Sequence, residues 1–315
     1  MYMTEVEQLL AIFTSWGVCD DPSTDYCTKC LVQPPHTNCL GTTIKDGKVL
    51  EINTENLSNI GYIINNNKTK TLSDIQLLSN LTSLRIDAGE ILTGEIPNSI
   101  GNLTGLNKLY LGANHLTGEI PKGITNLTGL QELHLGSNHL TGEIPKGITN
   151  LTGLQELHLW TNQLTGEIPK GITNLTGLQW LHLGSNHLTG EIPKGITNLT
   201  GLQLLQLNDN QLTGGIPDTI GNLTGLYTLL LNDNYLTVST SFLSNLSNLT
   251  NLSVSDPYYF SINKNCNKSC SLLKYCTPYS PNRPQLTELK VYGITLNENE
   301  LIINYAYELR QACAN

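Results

Sequence analysis

Three imidazoles stand at a fixed interval of 24 residues: His134, His158 and His182. Two positions before each lies Glu132, Glu156 or Trp180, so carboxylates and imidazoles share one stretch of surface. That combination can ligate a metal ion or move protons in general acid–base catalysis. Copying of a whole repeat accounts for the histidines without either role, and an open surface lacks the enclosure that tunes a catalytic base. The chain is therefore read as non-enzymatic, with no catalytic residue, no metal and no cofactor. Adjacent imidazoles repel one another once protonated, which predicts lowered pKa values and partner binding that changes between mildly acidic and neutral pH.

Two further sets of residues carry chemistry. Cys19, Cys27, Cys30 and Cys39 lie toward one end of the chain, and Cys266, Cys270, Cys276 and Cys313 toward the other. Even groups at both ends read as disulfide staples, with zinc as the rival reading for the C-x-x-C pair Cys27 and Cys30. Asn-Leu-Thr sequons at Asn102, Asn126, Asn150, Asn174, Asn198 and Asn222 read as N-glycan acceptors on the side away from the strands. The same Asn and Thr also suit the capping of a short convex helix or turn.

The elements that position these groups follow from a repeat. The motif L-x-x-L-x-L-x-x-N-x-L-T-G-x-I-P returns with its Asn at 114, 138, 162, 186, 210 and 234. Weaker copies place apolar pairs at Leu50/Ile52, Leu84/Ile86, Leu252/Val254 and Leu289/Val291. In each turn L-x-L is a short strand whose leucines point inward while their neighbours point outward. The Asn after it bends into the core and satisfies backbone groups there. Gly and Pro of L-T-G-E-I-P then carry the chain round the far side. One such turn cannot bury its apolar face alone, so the turns must stack. The expected fold is an α/β leucine-rich-repeat solenoid with a parallel sheet. Residues 1–48 form an N-terminal cap, 49–256 the array, and 257–315 a last irregular repeat with a C-terminal cap.

Composition narrows the function. A net charge of −9 without a basic cluster argues against nucleic acid, whose affinity rests on phosphate neutralisation. No run of apolar residues is long enough to span a membrane. Residues 1–18 carry Glu5 and Glu7 in place of a basic start, so they are not read as a signal peptide.

The L-T-G-E-I-P turn, the 24-residue period and the phrase I-G-N-L-T-G-L resemble the plant-type extracellular leucine-rich repeats. These occur in polygalacturonase-inhibiting proteins, receptor-like proteins and receptor-kinase ectodomains. The likeness covers residues 81–256. Glu5–Trp16 resembles that family's amphipathic cap helix, and Gly47–Ile52 the stretch leading into its first strand. The resemblance implies a right-handed superhelix with a concave sheet, placed outside the cell or at its surface. It also implies a non-catalytic module that binds a protein or polysaccharide, as an inhibitor of a secreted hydrolase or as a receptor-like sensor.

Near-identical repeats locate the binding face. Residues 118–141 recur from Gly142, Gly166 and Gly190, with differences confined to outward strand positions or just past them. The first repeat differs from the second at Trp160, Thr161 and Gln163, from the third at Trp180 alone, and from the fourth at Leu204, Gln206, Asn208, Asp209 and Gln211. Convex positions such as Lys122 and Thr128 stay fixed. The expected binding columns are Lys108, Glu132, Glu156, Trp180 and Leu204; then Tyr110, His134, His158, His182 and Gln206; then Trp160 and Asn208. Trp160 and Trp180 are the anchors, since exposed tryptophan is enriched at binding hot spots. Two other readings compete. Regular columns at Thr117, Thr141, Thr165, Thr189 and Thr213, and at Thr128, Thr152, Thr176 and Thr200, suit an ice- or surface-binding solenoid. Reduced cysteines without glycans would suit an intracellular scaffold.

Overall fold

The computed structural model describes residues 7–9, 12, 42–45, 48–53, 72, 75–87, 92–237, 246, 248–254, 260–263 and 302–303. All eight cysteines, and the copy at Leu289/Val291, lie outside the described residues.

The L-x-L segments form one 12-stranded sheet. Its parallel body comprises Lys48–Asn53, Ser83–Arg85, Lys108–Tyr110, Glu132–His134, Glu156–His158, Trp180–His182, Leu204–Gln206, Thr228–Leu230 and Asn251–Val254. Both ends turn antiparallel: Thr42–Lys45 pairs with Lys48–Asn53, and Phe260–Asn263 pairs with Asn251–Val254 and then with Ile302–Ile303. The middle strand positions Leu109, Leu133, Leu157, Leu181, Leu205 and Leu229 line up in register and are fully buried. The first turn departs from expectation. Ile52, not Leu50, pairs with Leu84, and Leu50 is only half-buried. The hairpin with Thr42–Lys45 shares this strand and includes a register shift between Thr43 and Ile44.

A buried Asn ties each regular turn to its neighbour. In the turn of Asn162, the amide nitrogen donates to Leu159 O at 3.1 Å in its own turn and to Leu135 O at 3.0 Å in the preceding one. Its Oδ1 accepts the Leu140 N–H at 2.9 Å. Asn114, Asn138, Asn186, Asn210 and Asn234 make the same cross-turn bonds and are likewise buried. An amide supplies two donors and an acceptor together, which no aliphatic or carboxylate side chain of that size does.

Beyond the Asn the chain forms a second, shorter ladder. Thr93–Glu95 pairs with His115–Thr117, and Thr189–Glu191, Gln211–Gly215 and Tyr235–Thr237 pair in turn, all parallel. Single bridges Glu119↔Thr141, Glu143↔Thr165 and Glu167↔Thr189 link the turns between them. The partners here are 22 residues apart, two fewer than in the long sheet. Each Thr of the L-T-G-E-I-P series therefore sits beside a Glu of the preceding turn. The Thr117 series thus does not form the uniform Thr ladder read from the sequence. Gly142, at φ +74°, lies under the Glu119 side chain, so both its backbone and its missing Cβ are needed.

On the opposite wall, Pro121, Pro145, Pro169 and Pro193 each start a five-residue 3₁₀ segment, such as Lys122–Asn126, that buries one Ile. The interval between Pro and the next buried Leu is too short for an α-helix and suits a single 3₁₀ turn. The core is one continuous cluster of Leu and Ile from these three walls.

Asn162→Ala is expected to leave Leu140 N–H and Leu135 O buried without that partner. The cost is about 2–3 kcal/mol, or roughly 3–5 °C in Tm for a chain of this length. Thermal unfolding checks this, with the exposed Thr165→Ala as a control expected to be near neutral.

Candidate functional site

The three outward columns become contiguous on the long sheet. Parallel pairing sets Lys108, Glu132, Glu156, Trp180 and Leu204 side by side, and Tyr110, His134, His158, His182 and Gln206 in the next column. Trp160 and Asn208 lie two residues further along their strands, on the same face. The predicted binding residues are therefore brought together on one face.

Their exposure differs from expectation. Tyr110 is buried, because Arg85 lies over its ring at 4.9 Å and His134 meets it edge-on at 4.3 Å. His134, His158 and His182 are half-buried, not exposed. His134 and His158 are 4.1 Å apart between ring centroids, and His158 lies 5.9 Å from His182 and 5.8 Å from Trp180. Trp160 stacks on His182 at 5.4 Å with 13° between the planes. Its indole occupies the space that a Cβ on Gly136 would fill, so Gly at that position makes room for Trp one turn later. At 36% exposure Trp160 is open to solvent, while Trp180 is half-covered. The result is a packed aromatic strip from Tyr110 to Trp160, edged by charged and polar side chains.

The charged rim is largely paired. Lys108 Nζ contacts Glu132 Oε1 at 2.8 Å, and Arg85 contacts Asp87 at 3.0 Å. Glu156 faces the imidazoles instead: its Oε2 is 2.9 Å from His134 Nε2 and 3.6 Å from His158 Nε2. With the neutral ring protonated at Nε2, His134 donates a hydrogen bond to Glu156. At the far end, Asn208 Nδ2 donates to Asp209 at 2.6 Å.

Burial sets the electrostatics. Desolvation lowers His134 to about 3, with the charges of His158, Arg85 and Lys108 adding to the effect. Desolvation also lowers His158 and His182 to about 4, His182 with a further contribution from His158. Burial, then the Glu132 charge, raises the Glu156 carboxyl. The lowered imidazole values match the sequence expectation in direction, but their main cause is burial, not mutual repulsion. The charge change accordingly lies near pH 4 and below, outside the mildly acidic-to-neutral range expected from the sequence.

Arg85 and Asp87 join the site although the sequence reading missed them. Their strand stands 25 residues from the next, off the regular period. The stacked pair His115 and His139, 5.7 Å apart, was missed as well, although it stands on the repeat's own 24-residue period. The sequon residues Asn102, Asn126, Asn150, Asn174, Asn198 and Asn222 are all exposed at the ends of the 3₁₀ segments. Among the described residues no helix is long and apolar enough to cross a membrane.

The leucine-rich repeat region family matches residues 48–165 and 161–277. No curated protein matches the chain. Among solved structures, the ectodomain of the receptor kinase GASSHO1/SCHENGEN3 from Arabidopsis thaliana, in complex with CASPARIAN STRIP INTEGRITY FACTOR 2, is 38% identical. That match has a TM-score of 0.53 and covers 59% of this chain and 23% of that one. The Arabidopsis receptor kinase HAESA, in complex with the peptide hormone IDA and the co-receptor SERK1, is 28% identical. Its TM-score is 0.59, over 79% of this chain and 45% of that one. A plant ice-binding protein is 26% identical with a TM-score of 0.60, over 74% of this chain and 72% of that one. The chain spans less than half the length of either receptor ectodomain.

The imidazole burial has a consequence for stability. The folded values lie below the ordinary 6.5, so the unfolded chain takes up protons first as pH falls. The histidine contribution is full above about pH 6.5 and declines from there down to about pH 4. His158→Gln, compared with the parent by thermal unfolding at pH 7.5 and 4.5 in buffer containing chelator, should lose less Tm on acidification. Equal losses would contradict this account of the histidines.

Proposed function

Since the chain belongs to the leucine-rich repeat family, we propose that it is a non-catalytic recognition module, acting outside the cell, that binds a peptide or protein along the outer face of the long sheet. One observation carries the reading. Repeats otherwise identical differ at the positions that form this face or its edge, and the differences build the strip around Trp160 and Trp180. The partner class follows the similar receptor ectodomain solved with a peptide hormone. A polysaccharide has no such support, so the protein or peptide reading replaces the broader one. Inhibition of a secreted hydrolase is one form this recognition could take; a receptor-like ligand sensor is the form closer to the similar structures. The opposite wall, with its exposed Asn-Leu-Thr asparagines, is the side on which N-glycans would leave the sheet face clear.

A second reading, ice binding, is favoured by the similarity to the plant ice-binding protein, which covers nearly equal shares of both chains. It would rest on the exposed Thr128, Thr152, Thr176 and Thr200, because each Thr of the other series pairs with a Glu of the preceding turn. Thermal hysteresis in a freezing assay separates the two readings.

Peptides selected from a displayed random library against the whole chain should depend on the strip. Trp160→Ala and Trp180→Ala should each weaken the best peptides by roughly 30-fold, a hot-spot loss of about 2 kcal/mol. Lys122→Ala on the opposite wall should change affinity less than about twofold. Selected peptides that bind both tryptophan variants as well as the parent would overturn the proposal.

A further inference from the structure

We propose that His134, Glu156 and His158 form a site for one divalent transition-metal ion of the zinc class. This inference is independent of the recognition reading. The three side chains come from two paired strands, Glu132–His134 and Glu156–His158, with His134 directly opposite His158. Glu156 precedes His158 by two residues and so projects from the same face. One ligand atom from each residue lies within 4.8 Å of the others. Glu156 Oε2 stands 2.9 Å from His134 Nε2 and 3.6 Å from His158 Nε2. Metal–nitrogen and metal–oxygen bonds of about 2.0–2.1 Å in a tetrahedron place ligand atoms roughly 3.3–3.4 Å apart, between those two spacings. The two carboxylate–imidazole spacings thus bracket the tetrahedral value.

A second observation points to a ligand. His158 Nε2 is buried and has no hydrogen-bond partner. A buried nitrogen left in that state is costly, and a cation shared with Glu156 would satisfy it. Neighbouring charges leave the site available. Glu132 is engaged by Lys108, and Arg85 by Asp87. Glu156 turns its carboxylate to the two imidazoles. When His134 Nε2 ligates, its ring proton resides on Nδ1, and the hydrogen bond to Glu156 gives way to shared coordination.

A single duplication of the repeat brings the three residues together, and the neighbouring turns do not repeat the set. In the preceding interval Tyr110 stands where a histidine would be needed, and in the following one Trp180 replaces the glutamate. Among the described residues the arrangement occurs once. Imidazole and carboxylate ligands suit Zn²⁺, Co²⁺, Ni²⁺ and Cu²⁺. Three protein ligands leave a fourth position, for water or for a donor group brought by another molecule.

The test is titration of the chelator-treated full chain with Zn²⁺ by calorimetry and with Co²⁺ by absorption, at pH 7.5 in a non-coordinating buffer. The expected result is saturable one-to-one binding with d–d bands of nitrogen and oxygen ligands, a Zn²⁺-dependent rise in Tm, and no thiolate charge-transfer band from the cysteines. Glu156→Gln and His158→Gln should each weaken binding about tenfold or more, whereas His182→Gln, outside the cluster, should not. Glu156→Gln keeps the shape of its side chain, and unfolding without metal shows whether each variant is folded. No saturable binding by the parent, unchanged affinity in both folded cluster variants, or a thiolate band in place of the nitrogen–oxygen spectrum would overturn the proposal.

Discussion

One buried amide per turn holds each regular turn to the one before it. It donates to one carbonyl in its own turn and one in the preceding turn, and its acceptor takes a backbone N–H 22 residues earlier. A turn of this chain has too few apolar groups to stand alone, and its strand is only three residues long. Stacking is therefore the source of stability, and the amides fix the register in which stacking occurs. The outward columns depend on that register. A slip of one residue would turn leucines outward and the histidines inward.

The site uses the rigidity this provides. Trp160 lies flat only because Gly136 in the preceding turn leaves space and His182 in the following one offers a ring to stack on. The next residue, Thr161, adopts φ 49°, a region that β-branched side chains disfavour. Ser137 and Ser185 occupy the same backbone conformation in neighbouring turns, so the bend belongs to the fold and the strain to this residue. Close packing of the rings withdraws the imidazoles from water. This keeps them neutral through ordinary pH and leaves the strip apolar enough to lose little on covering by a partner.

Much of this was legible in the sequence. Period-2 leucines and the recurring Asn specify the strand, its inward face and the bend after it, because each is a local property repeated many times. Column membership followed from the constant interval. What escaped the reading depends on more than one turn. The placement of Ile52 opposite Leu84 occurs in a strand that also pairs antiparallel with Thr42–Lys45, beyond any single repeat. The two-residue stagger of the second ladder, which puts Thr beside Glu, accompanies the clamp of each Asn on the preceding turn. Burial of Tyr110 involves Arg85, which stands off the period. Spacing shows that side chains are neighbours; it does not show how much of each the others cover.

The central claim is that the amide-held array is a scaffold and the aromatic strip on its long sheet is the recognition surface. Hydroxyl-radical footprinting of the chain, free and bound to a selected peptide, tests it most directly. Oxidation of Trp160 and Trp180 should fall on binding while that of Leu77, exposed in the first turns, stays unchanged. Protection confined to Leu77 or to the wall of 3₁₀ segments, with both tryptophans oxidised as in the free chain, would contradict the account.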